Sequence, residues 1–178
     1  MGILKYQTIE TERLVLRYPK RSDYSYQFKY LSKKDNFPYA DYAITKKKDD
    51  VKIFFNRMLK DQEVTSLFWM ICLKEGDIPI GTISAWNVDF DQNSIEFGYS
   101  LYPEHRGKGY MKETLSSIID YCYFVCGFNI FDIWTHKKNT VSIRLARRLG
   151  FKFGGYVTEK AKNEAGNIIY ATYRLEKY

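Results

Sequence analysis

The segment Leu101-Tyr102-Pro103-Glu104-His105-Arg106-Gly107-Lys108-Gly109-Tyr110-Met111 carries the most informative chemistry in the chain. Its two glycines let the backbone curl tightly. They open an amphipathic stretch whose first turn leaves main-chain N–H groups without intrahelical partners. Such a helix start, with Arg106 and Lys108 beside it, suits a pyrophosphate. A glycine turn that only redirects the chain would account for the same residues. Glu96 is a second candidate. In a strand, Ile95, Phe97, Tyr99 and Leu101 share one face and leave Glu96, Gly98 and Ser100 on the other. Gly98 has no side chain, so a carboxylate beside it can look into an open cleft; an ordinary polar residue on a half-solvated strand is the alternative. Asn139, Ser142 and His136 form a third group, with Asn139 placed to cap a helix. Ser142 could equally be a first-turn hydroxyl bonded to that cap, and His136 a solvated residue at a strand end.

Other chemistries are disfavoured. P-loop and dinucleotide-binding glycine patterns are absent, as is a nucleophile elbow. Cys122 and Cys126 lie one helical turn apart, but neither of the two histidines is near them, so core packing explains them better than a metal. With Cys72 they are too few for a disulfide framework. No metal is expected.

The elements that must position these residues follow from the apolar pattern. Arg13–Arg17 alternates as a first strand, and Ser22-Asp23 opens a helical stretch through Phe28 and Leu31. Val51, Phe54, Met58 and Leu59 recur at helical spacing behind Asp49-Asp50. Strands at Leu67–Lys74 and Ile80–Asn87 flank a Glu75-Gly76-Asp77 turn, and a further strand runs from Ser94 to Leu101. Gly107–Cys126 reads as a long helix with Leu115, Ile118, Ile119, Cys122 and Val125 inward and Gly127 as its stop. A strand at Ile130–Thr135 precedes a helix from Asn139 to Gly150, and strands near Phe151–Thr158 and Ile168–Leu175 close the chain as a hairpin turning at Lys162–Asn167. The order predicts one domain over residues 1–178, an α/β (α+β) sheet with helices on both faces.

Composition sets outer bounds. The 178 residues are 45% hydrophobic and 28% charged, the balance of a globular protein rather than a disordered one. No apolar run approaches the roughly 18 residues of a membrane span, and the first residues lack the pattern of a signal peptide. A cytoplasmic location without membrane association is therefore expected. The net charge of +7 favours an anionic partner, a phosphorylated small molecule among them. Nucleic acid is disfavoured, because Lys and Arg are dispersed and no nucleic-acid-binding motif is present.

Taken together, four segments resemble the GNAT acetyltransferase superfamily. The acetyl-CoA loop pattern, Arg/Gln-x-x-Gly-x-Gly/Ala, falls on Arg106, Gly109 and Met111. Met in the last place is accepted in the branch that acetylates the N-termini of ribosomal proteins. Thr11–Arg17 is similar to that branch's opening strand, Ile95–Tyr99 to its central strand and Asn139–Phe151 to its second cofactor motif. The resemblance implies a mixed sheet splayed between the fourth and fifth strands, counted from Arg13–Arg17, with acetyl-CoA in the gap. Main-chain groups around Leu101 would meet pantetheine, the amides of Arg106, Gly107, Lys108, Gly109, Tyr110 and Met111 the pyrophosphate, and Asn139 would also touch the cofactor.

The implied reaction is direct transfer of acetyl to a primary amine in a ternary complex, the amine being a protein N-terminus or a small molecule. Glu96 would be the base. Ala146 stands where many members carry a tyrosine acid, and the branch places a serine near the thiol, matching Ser142. Tyr170 stands where relatives often have Asp. A CoA-binding module without catalysis and a basic nucleic-acid-binding domain are the rival readings; a homodimer is compatible with all three. The acceptor side is expected from residues 22–60 and the closing hairpin, which carry Lys33, Lys34, Lys46, Lys47, Lys48, Lys160 and Lys162. Such a rim would disfavour spermidine and favour short peptides or small monoamines.

Overall fold

The computed structural model describes residues 3–39, 45, 47–60, 63, 65–161 and 166–178. Eight strands form one sheet: β1 (Ile9–Glu10), β2 (Leu14–Arg17), β3 (Leu67–Leu73), β4 (Ile78–Asp89), β5 (Ser94–Leu101), β6 (Ile130–His136), β7 (Lys152–Lys160) and β8 (Asn167–Glu176). Their spatial order is β1-β2-β3-β4-β5-β6-β8-β7. Helices α1 (Tyr24–Leu31), α2 (Lys48–Lys60), α3 (Tyr110–Phe124) and α4 (Thr140–Arg148) connect them. All strand pairs are antiparallel except β5 with β6, which the α3 crossover makes parallel. That one pair is short. It runs from Ser94↔Ile130 to Glu96↔Asp132, and Phe97–Leu101 then diverges from β6. The splay thus opens between the two strands for which it was expected.

β3 is apolar throughout because both its faces are covered. Leu67, Trp69 and Ile71 join a core with Leu115, Ile118, Ile119 and Cys122 of α3, whereas Phe68, Met70 and Cys72 pack on Val51 and Phe55 of α2. Burying each such side chain contributes about 1.5–3 kcal/mol. Ala146 of α4 belongs to the α3 side, so the helices divide between the two faces. An ion-pair network pins the opposite edge: Arg17 on β2 binds Asp23 with two nitrogens, at 2.8 and 3.0 Å, and donates from Nε to Asp77 in the β3–β4 turn at 2.6 Å.

Several boundaries differ from expectation. β1 is an additional two-residue strand, too short to show alternation. α3 begins at Tyr110 rather than Gly107, because Gly107 and Gly109 have φ of 75° and 83°, outside helical backbone. At its other end the helix stops at Phe124, so Val125, expected inward, is 37% exposed and Cys126 is buried in its stead. Gly127 does end the run, at φ 78°. The closing hairpin pairs Lys160 with Asn167, and Ala161 donates to the Gly166 carbonyl at 3.1 Å. Lys162 and Lys46, both placed on the acceptor rim by the sequence, lie outside the described residues. No helix among the described residues is long and apolar enough to cross a membrane.

Candidate active site

Pairing register determines what shares the α2 face of the sheet. Directly opposed residues point to the same side. Phe68 opposes Ser84, Ser84 opposes Gly98, Trp86 opposes Glu96, Glu96 opposes Asp132, and Asp132 opposes Arg174. The helices pack this face near β3, while farther along it a cleft of about 510 Å³ remains, lined in part by Asn87, Asp89, Asp132, Trp134 and Arg174. Glu96 therefore sits at the closed end of the splay, between cleft and gap. Its residue is only 7% exposed. Burial pushes its carboxyl up to about 7, Asp132 and Glu159 push the same way, and a bond from Asn87 Nδ2 to Oε2 at 3.2 Å opposes them. A carboxylate poised near neutrality is suited to accepting a proton.

The open end of the splay is the 102–111 loop. Tyr102 donates to the Ile80 carbonyl at 2.8 Å, and a tight turn at Pro103–His105 leads to Arg106. Gly107 and Gly109 then take left-handed backbone, and Gly109 caps α3 without a side chain, so its first amides face outward uncapped. These glycines and the bare helix start fit a pyrophosphate. A Cβ built on Gly109 would approach Arg13 Nη2 to 3.4 Å.

Arg106 has other partners. Its N–H donates to Pro103 at 3.2 Å, its Nε to the Leu101 carbonyl at 2.9 Å and its Nη2 to the Asn36 carbonyl. The guanidinium thus ties the 34–36 turn to the end of β5, using one of the two lone pairs of the Leu101 carbonyl. Strand alternation turns the main-chain groups of Phe97, Tyr99 and Leu101 toward the gap, since Tyr102 pairs on the β4 side. Met111 is buried in the core, which explains an apolar residue in the last place of the loop pattern.

Arg13 braces the loop from β2's leading turn, a role the sequence alone did not suggest. Nη1 donates to the Lys108 carbonyl at 3.1 Å, Nε to Glu113 Oε2 at 2.7 Å, and the guanidinium lies 4.6 Å from the centre of the Tyr110 ring. Thr11 Oγ1 also donates to Glu113, at 2.6 Å. Burial works against the Glu113 charge, but these bonds hold its carboxyl below the usual range.

Across the gap, Asn139 caps α4 by accepting from the Ser142 N–H at 3.3 Å. The buried Ser142 hydroxyl is not used in the cap; it shares a 2.8 Å hydrogen bond with the Tyr99 hydroxyl. Tyr99 was read with the apolar face of β5. Alternation did find its face, but nothing local shows that the splay lets its hydroxyl reach α4. Burial pushes this phenol up to about 12, so it stays protonated at neutral pH. His136 Nδ1 accepts from the Lys138 N–H at 3.1 Å and its ring stacks on Tyr39 at 5.4 Å. Tyr170 opposes His136 on β8 and lies 6.4 Å from Trp134. Neither is brought to Glu96. Asn87, Asp132 and Arg174 were missed: strand register sets Asp132 opposite Glu96 and Arg174 opposite Asp132, and the irregularity in β4 turns Asn87 toward Glu96.

Comparison with known proteins accords with this geometry. Residues 13–152 match the acetyltransferase (GNAT) domain family. The "Uncharacterized N-acetyltransferase p20" of Bacillus licheniformis is 29% identical over 162 residues, 88% of this chain and 89% of that protein. Among solved structures, a ribosomal L7/L12 alpha-N-protein acetyltransferase in complex with coenzyme A is similar at TM-score 0.83 and 17% identity, covering 96% of this chain and 98% of the other. Spermidine N-acetyltransferase from Vibrio cholerae, in complex with CoA and spermine, is similar at TM-score 0.79 and 17% identity, covering 93% and 96%. With the splayed sheet, the bare start of α3 and a family match over most of its length, the chain belongs to the GNAT acetyltransferase domain family and is an N-acetyltransferase.

Proposed function

We propose that this enzyme moves acetyl from acetyl-CoA directly to a primary amine in a ternary complex, the acceptor being a peptide N-terminal α-amine or a small monoamine. One observation carries the reading: the β5–β6 gap has Glu96 at its closed end and the uncapped α3 start at its open end. From Glu96 to Leu101 the strand spans about 17 Å at about 3.4 Å per residue, a reach suited to an extended pantetheine arm. The amides of Gly107–Met111 would hold the pyrophosphate, and the main chain of Phe97 and Tyr99 the pantetheine. That two proteins of similar fold are in complex with CoA supports CoA as the donor's carrier.

In the transfer, the amine nitrogen attacks the thioester carbonyl, forming the C–N bond as the C–S bond breaks. Glu96 takes the proton the nitrogen loses, and the Tyr99–Ser142 pair supplies one to the departing thiolate. Main-chain donors at the gap stabilise the charge that gathers on the carbonyl oxygen. A screen of amines against acetyl-CoA, read by thiol release, tests the function. Turnover with a peptide or monoamine, lost in Glu96→Gln, is expected; no turnover with any primary amine would refute it.

A further inference from the structure

β4 loses register beside Glu96. Its pairing runs to Trp86↔Glu96 and resumes at Asp89↔Ser94, and Asn87 between them has φ 50°. Left-handed backbone is uncommon for a residue with a side chain, Asn being among the types that tolerate it. Bulges of this kind re-aim side chains. Here the amide is aimed at a carboxylate, with Nδ2 3.2 Å from Glu96 Oε2, and among the described residues it is the only side-chain bond that carboxylate accepts.

We propose that Asn87 is a positioning residue for acyl transfer, its amide occupying Oε2 of Glu96 so that Oε1 is the oxygen that takes the amine proton. The inference rests on Glu96 being the base. The surrounding charges make the amide consequential. Asp132 opposes Glu96 in the β5–β6 register, and its charge and that of Glu159 on β7 both oppose the ionisation of Glu96. Arg174 on β8 is directed to Asp132, which it binds through two nitrogens at 2.8 and 2.7 Å. Among the described residues Asn87 alone stabilises the carboxylate form by direct donation, and it also lines the cleft. It therefore links the cleft to the proton acceptor.

Asn87→Gly keeps the left-handed backbone at no steric cost and removes the amide. Carbon-13 NMR of the Glu carboxyls in the full chain, with the Glu96 resonance assigned by its loss in Glu96→Gln, reads the effect without any acceptor. In Asn87→Gly the Glu96 midpoint is expected to move up by about one pH unit, and in Asn87→Asp further still. With a working amine, the acid limb of kcat/KM should move with it, a loss of about tenfold below the midpoint. A Glu96 midpoint unmoved in both variants, alongside an inactive Glu96→Gln enzyme, overturns the role of Asn87 alone. Full turnover by Glu96→Gln would instead overturn the assignment of the base.

Discussion

The hydroxyls of Tyr99 and Ser142 lie 2.8 Å apart, joining β5 to the first turn of α4 just where β5 and β6 have separated. The bond unites two elements that no strand pairing connects at that point. With Ala146 buried on α4, where the resemblance implies a tyrosine in many members, the pair puts a phenol near the gap from β5. Tyr99 stays protonated at neutral pH, since burial pushes it up to about 12.

If this pair supplies the thiolate's proton, Tyr99→Phe and Ser142→Ala should each lower kcat, Tyr99→Phe by about 10²-fold or more. Because the two act as a unit, the double variant should lose little beyond the worse single one. Multiplicative losses in kcat, or full activity in Tyr99→Phe, would show that the bond only packs β5 against α4.

For Glu96, the same burial that suits catalysis opposes stability. The folded-state carboxyl is raised from an ordinary 4.5 to about 7, so the folded form holds its proton over a range where the unfolded chain releases it. Its contribution to stability is complete below about 4.5 and is lost as pH rises through about 7, roughly 3 kcal/mol in all. Glu96→Gln should therefore raise Tm at pH 8 and leave it nearly unchanged at pH 4.5, while lowering kcat by about 10²–10⁴. The kcat loss should shrink at high pH, where the amine arrives neutral. A variant no more stable than the parent at pH 8 would show that Glu96 is solvated.

The brace on the phosphate loop predicts a different pattern. Arg13→Met removes the bonds to the Lys108 carbonyl and to Glu113 without touching the gap. KM for acetyl-CoA should rise about tenfold, with kcat nearly unchanged. Glu113→Gln should do much the same. Acetyl-CoA at 100 times Kd should stabilise the parent by about 2.7 kcal/mol, a shift that Gly109→Asp removes and Arg13→Met diminishes. An undiminished shift in Arg13→Met would make the brace irrelevant to binding.

What the sequence disclosed of this site is what short-range rules determine. The left-handed glycines at 107 and 109, the Asn139 cap and the alternation that turns Glu96 away from Phe97 are each properties of a few consecutive residues. The crossover through α3 was legible for the same reason, whereas the location of the splay was implied by the resemblance to the GNAT superfamily. Asn87, Asp132 and Arg174 were not, because the registers of β6 and β8 bring Asp132 to Glu96 and Arg174 to Asp132, and Asn87 reaches Glu96 through a break in the β4 register. Arg106 illustrates a further limit: the loop pattern marks the residue, but not that its guanidinium reaches back to Asn36 and Leu101. The lysine rim was read from charge counts, which carry no information about the acids Asp89 and Asp132 in the cleft.

Acceptor choice should follow from the Asp132–Arg174 pair in that cleft. Arg174 occupies both Asp132 oxygens, and Asp89 Oδ1 already accepts from the Asp91 and Gln92 N–H groups at 2.9 Å each. A peptide N-terminus or monoamine asks for a single carboxylate near the thioester, and Glu96 provides it. Its α-amine, with a pKa near 7.7–8.0, is also partly neutral at physiological pH. Spermidine would carry further ammonium groups along the cleft toward the Arg174 guanidinium, where like charge repels them. At equal concentration an N-terminal Ser or Ala peptide should therefore be acetylated faster than spermidine. Arg174→Gln removes the repelling charge and frees Asp132, so kcat/KM for spermidine relative to the peptide should rise by about tenfold, about 1.4 kcal/mol. A parent enzyme that prefers spermidine, or a ratio that Arg174→Gln leaves unmoved, would mean that the cleft does not select its amine by charge.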